Sequence, residues 1–578
     1  MMKLSAVCDF PDDVAFGKWS ATAVDNLVAA LKQQGVSRLY VQYYGNREHG
    51  GHFDCDAPGW KAARECSAVL PNYMRAFVES CKQHDMEIAA IMRPLEQGVW
   101  TELSPYYEKE HLLPEPRKKM GVFRLGGENI DASNFVVEHP QMRIKRRSWD
   151  IDPNAADKII GSVKLYKQNN IPTRIKKENI TIYTSPDNSY YKEYKDDFTF
   201  SVSEEPARAT VLHATRRPQD YETVFLTEKG APVQVLTLGN LHIKDKFVAV
   251  KVHCDDVLSE NEGFESNCIR FINTPVNSIA CFEPDGTEIC ATPGNTIRGT
   301  VLGRPFLDAG FNFDDGFGEH DIAIFDPDNA DGFFAIAKGK NEYVHTALCE
   351  CEPAVQEYWL SLLEQVLEDG VDLVGNRIEN HATHVDEPFA YGYNDCIKEE
   401  YYRRYGYCDE QDMDLRKIAK IRGDAYTKLF IEGAKRVRAK GKKVYVTLNL
   451  EMLRDPIPLN RRYAYPMNVE WQWEKWLEEI RPDEINFRMY FNSVNFLFTD
   501  PQCRHMLETA KSYGVPLTLE RYVYFDFAGE VKQMSLNGVF DRMALYETAN
   551  FFINNENGES VLNEKGKEQL TAIRDWIE

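Results

Sequence analysis

Four glutamates in the last third of the chain each close a strand-like run. The runs cover 371–379, 443–451, 515–520 and 540–547, and they end on Glu379, Glu451, Glu520 and Glu547. In a barrel of parallel strands the carboxyl ends meet at one mouth, where the chemistry of such barrels takes place. Two carboxyl groups that face one bond can act as an acid and as a nucleophile or base, which glycosidic-bond hydrolysis requires. The glutamates therefore predict sugar-bond chemistry at a shared mouth.

Polar and aromatic side chains gather where several of these runs end. The segment GNRIENHATHVDEP adds the candidate substrate contacts Asn376, Arg377, His381 and His384, with Asp386 and Glu387 as further catalytic or substrate-binding candidates. The loop YYGNREHGGHFDCDAPGW offers aromatic faces and polar tips, which suit the C–H faces and hydroxyls of sugars. Candidate substrate contacts outside the first segment are Tyr43, Asn46, His49, His52, Arg93, Trp100, Asn449, Arg488, Tyr490 and Tyr522.

Two of these candidates are arginines at predicted strand ends. Arg93 ends the third strand-like run and Arg488 lies near the end of the sixth. A guanidinium is costly to bury unless it is paired, so both are expected to meet the glutamates or an anionic substrate. An arginine neighbour lowers the pKa of a carboxyl group and favours a nucleophile, whereas an apolar neighbour raises it and favours an acid.

The elements that must position these residues alternate regularly at both ends of the chain. Strand-like runs at 4–9, 36–43 and 86–93 are separated by helical patterns, the first of which begins at the N-cap candidate Ser20 and stops at Gly35. The rhythm resumes at 352 and adds runs at 371–379, 443–451, 483–490, 515–520 and 540–547. Eight alternating units predict a (β/α)8 TIM barrel. The rival doubly wound sheet usually carries GxGxxG after its first strand, and DFPDDVAFGKW lacks it.

The region between the third strand and the third helix breaks this rhythm. From about 150 to 344 the pattern becomes short alternating runs separated by turn residues, such as ITIYT, PVQVLTL and FVAVKVH. Such runs are typical of an all-β sandwich. We therefore expect a TIM-barrel catalytic domain over 1–149 and 345–578, with an inserted β-sandwich domain over 150–344.

Composition limits the partners and the compartment. The chain has 578 residues, a net charge of -22 and a pI near 5.2, which argues against nucleic acid and anionic membranes as partners. No apolar run is long enough to span a bilayer. The 13 cysteines include no CxxC pair and fit reduced, packed thiols. A cytoplasmic protein is expected, or a secreted or periplasmic one if a signal peptide has been removed; the sequence leaves the oligomeric state open.

Three segments carry a resemblance to a known family. They are EPAVQEYWLSLLEQVLEDGVDLVGNRIENH, AYGYNDCIKEEYYRRYGY and RGDAYTKLFIEGAKRVRAKGKKVYV. In these the chain resembles the glycoside-hydrolase-like barrel proteins of bacterial polysaccharide degradation. The resemblance covers most of 1–150 and 345–578, and it implies hydrolysis of a glycosidic bond in an oligo- or polysaccharide without a cofactor.

The resemblance also implies roles for two glutamates. In the large retaining clan built on this barrel, the acid/base ends strand four and the nucleophile ends strand seven, positions that Glu379 and Glu520 match. That clan has Asn directly before the strand-four Glu, whereas this chain has Ile378 there and Asn380 afterwards. Glu451 and Glu547 then become reserve catalytic or substrate-binding residues.

Two other functions remain open on the sequence. The first is a non-catalytic carbohydrate-binding protein on a degenerate barrel. The second is a metal-dependent hydrolase that uses the His49/His52 or His381/His384 loops, although a histidine pair needs further ligands in space. The first strand ends in Cys8-Asp9 and lacks the His-x-His that many metal-dependent barrels place there. No metal and no cofactor are therefore expected.

Overall fold

Eight parallel strands close into a barrel in the computed structural model. The structure describes residues 2–10, 19–45, 66–93, 95, 122–123, 134–186, 192–214, 223–252, 264–266, 269–271, 276–293, 297–301, 307–310, 323–324, 333–340, 342–378, 388–450, 453, 468–489, 493–522, 527–554 and 558–578. The barrel strands are β1 (Lys3–Cys8), β2 (Val36–Tyr43), β3 (Glu87–Met92), β4 (Leu373–Asn376), β5 (Lys443–Asn449), β6 (Glu484–Met489), β7 (Leu517–Tyr522) and β8 (Arg542–Tyr546).

Each barrel strand pairs in parallel with its sequence neighbour, and β8 closes the ring against β1. The predicted (β/α)8 barrel is therefore confirmed. Several strand ends differ from the prediction. β7 runs on to Tyr522, so Glu520 lies two residues before its end, whereas β4, β5 and β8 end before the predicted glutamates. Pairing of Glu520 with Ala544 and of Tyr522 with Tyr546 keeps the strand in the sheet beyond the glutamate.

Helices cover the outside of the barrel. Ser20 caps the first of them, since its Oγ accepts a hydrogen bond from the Ala23 N–H at 3.2 Å. Gly370 ends the third with a φ of 96°, a left-handed conformation that glycine adopts without a steric penalty. The helices are α1 (Ala21–Gln33), α2 (Tyr73–Gln83), α3 (Pro353–Asp369), α4 (Asp395–Tyr405), α5 (Leu415–Ala439), α6 (Trp473–Ile480), α7 (Pro501–Ser512), α8 (Phe527–Asn537) and α9 (Glu564–Ile573), with shorter helices at Asn134–Glu138 and Phe496–Thr499.

A hydrophobic layer fills the middle of the barrel. Because side chains alternate along a strand, every second residue faces inward. The Tyr445 hydroxyl donates to the Ala90 carbonyl at 3.0 Å, which fixes its ring across the interior. A Cβ on Gly375 would lie 2.3 Å from that ring, so glycine leaves the space that the ring occupies. The layer consists of Val7, Tyr40, Ala89, Ile91, Leu373, Tyr445, Tyr522, Ala544 and Tyr546.

Charged side chains form a floor below this layer, at the amino ends of the strands. Arg38 Nη1 donates to Glu484 Oε2 at 2.5 Å, and its Nη2 donates to Glu87 Oε2 at 2.7 Å. The hydroxyls of Tyr40 and Thr518 donate to Glu484 Oε1 at 2.6 and 2.9 Å. The buried Glu484 carboxylate is thus held by one guanidinium and two hydroxyls, as a buried charge requires.

Glu87 lies at the edge of the same floor. Partial burial by itself raises the pKa of its carboxyl group, but Arg38, Arg542 and Lys443 outweigh that effect and lower the pKa below its ordinary value. Arg542 also donates to the Ser5 hydroxyl at 2.7 Å. Acidic and basic groups therefore alternate around the floor.

Between β3 and α3 the chain forms antiparallel sheets. A five-stranded sheet has the order Glu288–Pro293, Val276–Phe282, Ser162–Lys167, Pro232–Gly239, Thr199–Pro206. A four-stranded sheet has the order Phe333–Ala337, Phe247–Val252, Ile180–Ser185, Lys192–Glu193. Both sheets contribute to one apolar cluster that includes Leu165, Ile182 and Val250. That they form an independent sandwich domain over 150–344 stays a prediction.

Other strands form one further sheet and separate two-stranded pairs. A six-stranded sheet contains Phe264–Ser266, Ile269–Phe271, Ile297–Val301, Leu307–Gly310, Ala323–Ile324 and Val122–Phe123. Two-stranded pairs join Val211–Ala214 to Thr223–Thr227 and Phe552–Asn554 to Ser560–Leu562.

A two-stranded neck joins the outgoing and returning chain. Arg143–Lys145 pairs antiparallel with Tyr343–Leu348, and the Cys349 N–H donates to the Met142 carbonyl at 2.8 Å.

Within the described ranges no helix is long and apolar enough to cross a membrane.

Candidate active site

Glu520 belongs to a polar layer of the barrel interior and lies two residues before the carboxyl end of β7, so that Tyr522 of the hydrophobic layer is nearer to the mouth. The Glu520 side chain is 1% exposed. Arg377 Nη2 donates to Oε1 at 2.5 Å, and Arg488 Nη1 donates to the same oxygen. Asn486 Nδ2 donates to Oε2 at 3.1 Å. Two guanidinium groups and one amide thus bind the Glu520 side chain, as a buried carboxylate requires.

Both arginines also stack on one tyrosine. The guanidinium carbon of Arg488 lies 4.1 Å from the centre of the Tyr546 ring, and that of Arg377 lies 4.8 Å from it. Burial and the nearby Arg488 each lower the pKa of Arg377, but Glu520 and Tyr546 outweigh them and the pKa is raised. The cluster therefore holds two adjacent positive charges through one carboxylate and one aromatic face.

A second carboxylate lies on the β1 side of the same layer. The Tyr546 hydroxyl donates to Asp9 Oδ2 at 2.9 Å, and Gln42 Nε2 donates to the same oxygen. Arg377 Nη1 donates to the Tyr546 hydroxyl at 3.2 Å, so this hydroxyl connects the Asp9 and Glu520 groups. Burial raises the pKa of Tyr546 well above its ordinary value, and the charge of Asp9 adds to this effect. Tyr546 is thus a neutral donor at any physiological pH.

The third arginine of the mouth stands beside Asp9. Arg93 Nη2 lies 3.7 Å from Asp9 Oδ2, and its guanidinium carbon lies 5.5 Å from the centre of the Tyr44 ring. The Tyr44 hydroxyl donates to Gln42 Oε1 at 2.8 Å. Among the described residues of this layer, three guanidinium groups therefore face two carboxylates, those of Asp9 and Glu520.

Three other candidates lie around this cluster. The rings of Tyr522 and Tyr546 have centres 4.4 Å apart. Asn449 is buried and pairs in register with Arg488 of the next strand. Glu547 follows β8 with a φ of 56°, an uncommon backbone conformation for a residue with a Cβ, and its Oε2 accepts a hydrogen bond from Asn550 Nδ2 at 3.0 Å.

Two predicted substrate contacts lie on the helix side of the barrel wall. Tyr43 is 1% exposed, and its hydroxyl donates to Gln365 of α3 at 3.0 Å. Asn376 lines a small cavity together with Trp359 of α3 and Phe430 of α5. Both residues occupy the outward positions of their strands, because Gln42 and Arg377 occupy the adjacent inward ones. The structure therefore separates Tyr43 and Asn376 from the cluster that contains Arg93, Arg377, Arg488, Glu520 and Tyr522.

Eleven of the twenty predicted site residues fall outside the described residues. Those predictions are Glu379, the leading acid/base candidate, together with Glu451, Asp386, Glu387, Asn46, His49, His52, Trp100, His381, His384 and Tyr490.

Sequence reasoning missed several residues of the cluster. Asp9, Gln42, Asn486 and Tyr546 all contribute hydrogen bonds within it. The rule used for the four glutamates applies equally to β1, which is followed by Asp9, and to β2, where alternation in VQYY places Gln42 on the inward face. Asn486 lies mid-strand, where no strand-end signal exists.

The described part of the mouth contains no group of three His, Cys, Asp or Glu side chains close enough to share a metal ion. The one such group in the described ranges, at Cys349, Glu350 and Cys351, lies outside the barrel interior. The cluster as described is thus a pair of hydrogen-bonded carboxylates set among guanidinium groups.

No protein-family model and no curated protein matches the chain. Solved structures similar to it include a β-galactosidase from the psychrophilic Marinomonas ef1, with a TM-score of 0.37 and 7% identity over 99% of this chain and 59% of that one. An isomaltulose synthase from Klebsiella sp. LX3 has a TM-score of 0.31 and 7% identity over 94% of this chain and 64% of that one. A GH18 chitinase from Pseudoalteromonas aurantia has a TM-score of 0.20 and 11% identity over 38% and 67%.

The chain spans less than two thirds of the length of the first two enzymes. Scores this low carry no argument about function. The class that the chain's own topology defines is a (β/α)8 barrel with a charged mouth.

Proposed function

We propose that this protein is a glycoside hydrolase that cleaves acidic oligo- or polysaccharides, with Glu520 as the nucleophile of a retaining mechanism. The observation that carries the proposal is the buried Glu520 carboxylate in the carboxyl half of β7, fixed by Arg377, Arg488 and Asn486. A nucleophilic carboxylate must be held in one orientation, and these three donors do so.

The two oxygens of Glu520 have different surroundings. Oε1 accepts from both guanidinium groups, whereas Oε2 accepts from the Asn486 amide at 3.1 Å. A carboxylate oxygen has more than one lone pair, so Oε2 keeps the capacity to form a bond to an anomeric carbon. The side chain is 1% exposed, so groups above it must move before a substrate reaches it.

The charge of the mouth favours an anionic substrate. The described cluster contains three guanidinium groups, those of Arg93, Arg377 and Arg488. Arginine binds a carboxylate or a sulfate with paired hydrogen bonds, so a sugar that carries such a group suits a mouth with these side chains.

The acid/base role goes to Glu379, as the resemblance implies. In the first step the Glu520 carboxylate bonds to the anomeric carbon while Glu379 gives its proton to the leaving oxygen. In the second step Glu379 takes a proton from water, and that water breaks the glycosyl–Glu520 bond. The mechanism requires the two carboxyl groups to lie about 5–5.5 Å apart, whereas about 6.5–9.5 Å implies inversion instead.

The test compares three variants on a panel of neutral and acidic glycans, including polyuronates, sulfated glycans and activated aryl glycosides. Glu520→Gln is expected to lose turnover by at least about 10³-fold, and azide is expected to restore turnover to Glu520→Ala by forming a glycosyl azide. Glu379→Gln is expected to retain more activity on aryl glycosides with good leaving groups, because these need little protonation. Chelation with EDTA is expected to leave turnover unchanged.

Glu484→Gln is the matched control, because it removes a second buried, arginine-bound carboxylate from the opposite end of the same barrel. Glu484 lies four residues before Arg488 on β6, about 13 Å away along the strand. Its turnover per folded molecule is expected to match the wild type. Glycan binding without turnover in the wild type would identify the non-catalytic carbohydrate-binding alternative. Turnover by Glu520→Gln at the wild-type rate would refute the nucleophile, and preference for neutral glycans would refute the acidic substrate.

A further inference from the structure

Three cysteine side chains meet beside the neck, outside the barrel interior. Cys349 follows the strand Tyr343–Leu348 and is fully buried. Its Sγ lies 4.0 Å from that of Cys396, in the first turn of α4. The ligand atoms of Cys349, Glu350 and Cys351 all lie within 4.8 Å of one another. Cys349 is therefore close to two other thiols that come from different elements.

The sulfur separation fits a shared metal ion. Two thiolates bound tetrahedrally to zinc at about 2.3 Å have sulfurs about 3.8 Å apart, close to the Cys349–Cys396 distance of 4.0 Å. A disulfide brings its sulfurs to about 2.05 Å. In the described ranges Cys349, Cys351 and Cys396 form no disulfide.

The carboxylates around these thiols have separate tasks. Glu350 is fully buried and forms an ion pair with the fully buried Arg422, whose Nη2 donates to Glu350 Oε2 at 3.2 Å. The Glu350 carboxylate is therefore already bound to a guanidinium group. Glu352, by contrast, is the N-cap residue of α3, is only partly buried and interacts with the Cys396 thiol. Its carboxylate is thus a neighbour of the Cys396 sulfur and has no arginine partner in the described ranges.

The ligand type selects the metal. Cys351 directly precedes the N-cap of α3, and Cys396 lies at the start of α4, so the set is rich in sulfur. Soft sulfur ligands select zinc and similar thiophilic ions over magnesium or calcium.

We infer that Cys349, Cys351 and Cys396 bind one thiophilic divalent ion such as Zn²⁺, with Glu352 as the fourth ligand. Four protein ligands leave no open position, so the ion is structural. It joins the chain that re-enters the barrel after the neck to α4. This inference is independent of the proposed function, because it involves none of the residues of the mouth.

The spacing of these cysteines in the sequence does not form a recognisable metal-binding pattern. Cys349 and Cys351 form only a CxC pair, and the third thiol comes from a helix that follows the next barrel strand. Folding brings the ligands together, since α4 and the residues after the neck share one apolar cluster with Tyr391 and Ile418.

The first experiment measures metal content of the full chain purified under reducing conditions, by mass spectrometry. About one zinc per chain is expected. Replacement of zinc by Co²⁺ is expected to give sulfur-to-cobalt charge-transfer absorption, which requires thiolate ligands, together with the d–d bands of tetrahedral cobalt. This measurement needs no variant of the protein. Absence of metal after growth and refolding with added zinc, or Co²⁺ binding without these bands, would overturn the inference.

The second experiment compares variants. Cys396→Ser is expected to weaken zinc binding at least about tenfold, and Glu352→Gln is expected to weaken it less. The double variant Cys281→Ser/Cys290→Ser is the matched control, because it removes another close thiol pair, with sulfurs 3.3 Å apart. The control is expected to keep the wild-type metal content. Equal zinc affinity of Cys396→Ser and the wild type, or a Cys349–Cys396 disulfide in protein purified without reductant in the presence of zinc, would contradict the metal site.

Discussion

Removing the charge of Glu484 is expected to destabilise the barrel by about 3 kcal/mol. Its carboxylate is buried at the floor and accepts hydrogen bonds from Arg38, Tyr40 and Thr518. In Glu484→Gln an amide donor replaces one carboxylate oxygen, so at least one of these three donors loses its acceptor. The Arg38 guanidinium then faces a neutral group in a buried position.

The magnitude follows from the geometry of the pair. Unit charges about 4 Å apart attract by about 4 kcal/mol at an effective dielectric constant of about 20. Breaking a buried ion pair by removing one partner costs about 3–5 kcal/mol. Glu87 still binds Arg38 at 2.7 Å after the change, but its side chain is 42% exposed and compensates only in part. The lower end of the range is therefore expected.

Equilibrium urea unfolding followed by tryptophan fluorescence measures the effect on the barrel. Trp359 and Trp476 are 1% and 0% exposed in the core between the barrel and its helices, so their emission reports on that core. The control is Glu564→Gln, which removes one partner of an exposed pair with Lys567 and is expected to cost less than about 0.5 kcal/mol. A loss below about 1 kcal/mol for Glu484→Gln would refute the reasoning about the floor.

Three further changes test other parts of the fold. The folded-state pKa of Glu87 is lowered by Arg38 and other basic neighbours, so its charge stabilises the protein above its unfolded-state pKa. The stability lost in Glu87→Gln, measured by thermal unfolding, should therefore shrink as pH falls from about 4.5 through the lower folded-state pKa; a loss independent of pH would contradict this. Gly375→Ala places a Cβ against the Tyr445 ring and should cost about 1–3 kcal/mol in urea unfolding, whereas an unchanged midpoint would show that the ring has room to move. Ser20→Ala should cost about 1 kcal/mol through loss of the helix cap, and Ser20→Asp, which keeps an acceptor, should restore most of it.

The fold of the barrel could be predicted because its signals are local. Alternating apolar runs, the N-cap Ser20 and the stop at Gly370 each report one element, and eight such elements imply closure. Strand ends were less predictable, since pairing with neighbours extends β7 to Tyr522 and ends β4 at Asn376. Those limits depend on the sheet rather than on the strand's own residues.

The candidate site was predictable only in part. Glu520, Arg93 and Arg488 stand near strand ends, where polar residues are conspicuous in sequence. Whether a strand residue faces the interior depends on register, and a shift of one position exchanges the two faces. That is why Tyr43 and Asn376 turn toward the helices while Gln42 and Arg377 point inward.

The neck has a consequence for how the barrel forms. Neighbouring strands β3 and β4 are separated by residues 93–372, and closing a loop of about 280 residues costs about 2 kcal/mol more than closing one of about 30. Pairing of Arg143–Lys145 with Tyr343–Leu348 shortens the effective loop to about 75 residues, so the meeting of β3 and β4 then costs about 1 kcal/mol less. The cost of closing the neck itself falls on the folding of the chain beyond it. Once the neck has formed, the length of chain beyond it no longer affects the meeting of β3 and β4. The barrel can therefore close although about 280 residues separate the neighbouring strands β3 and β4.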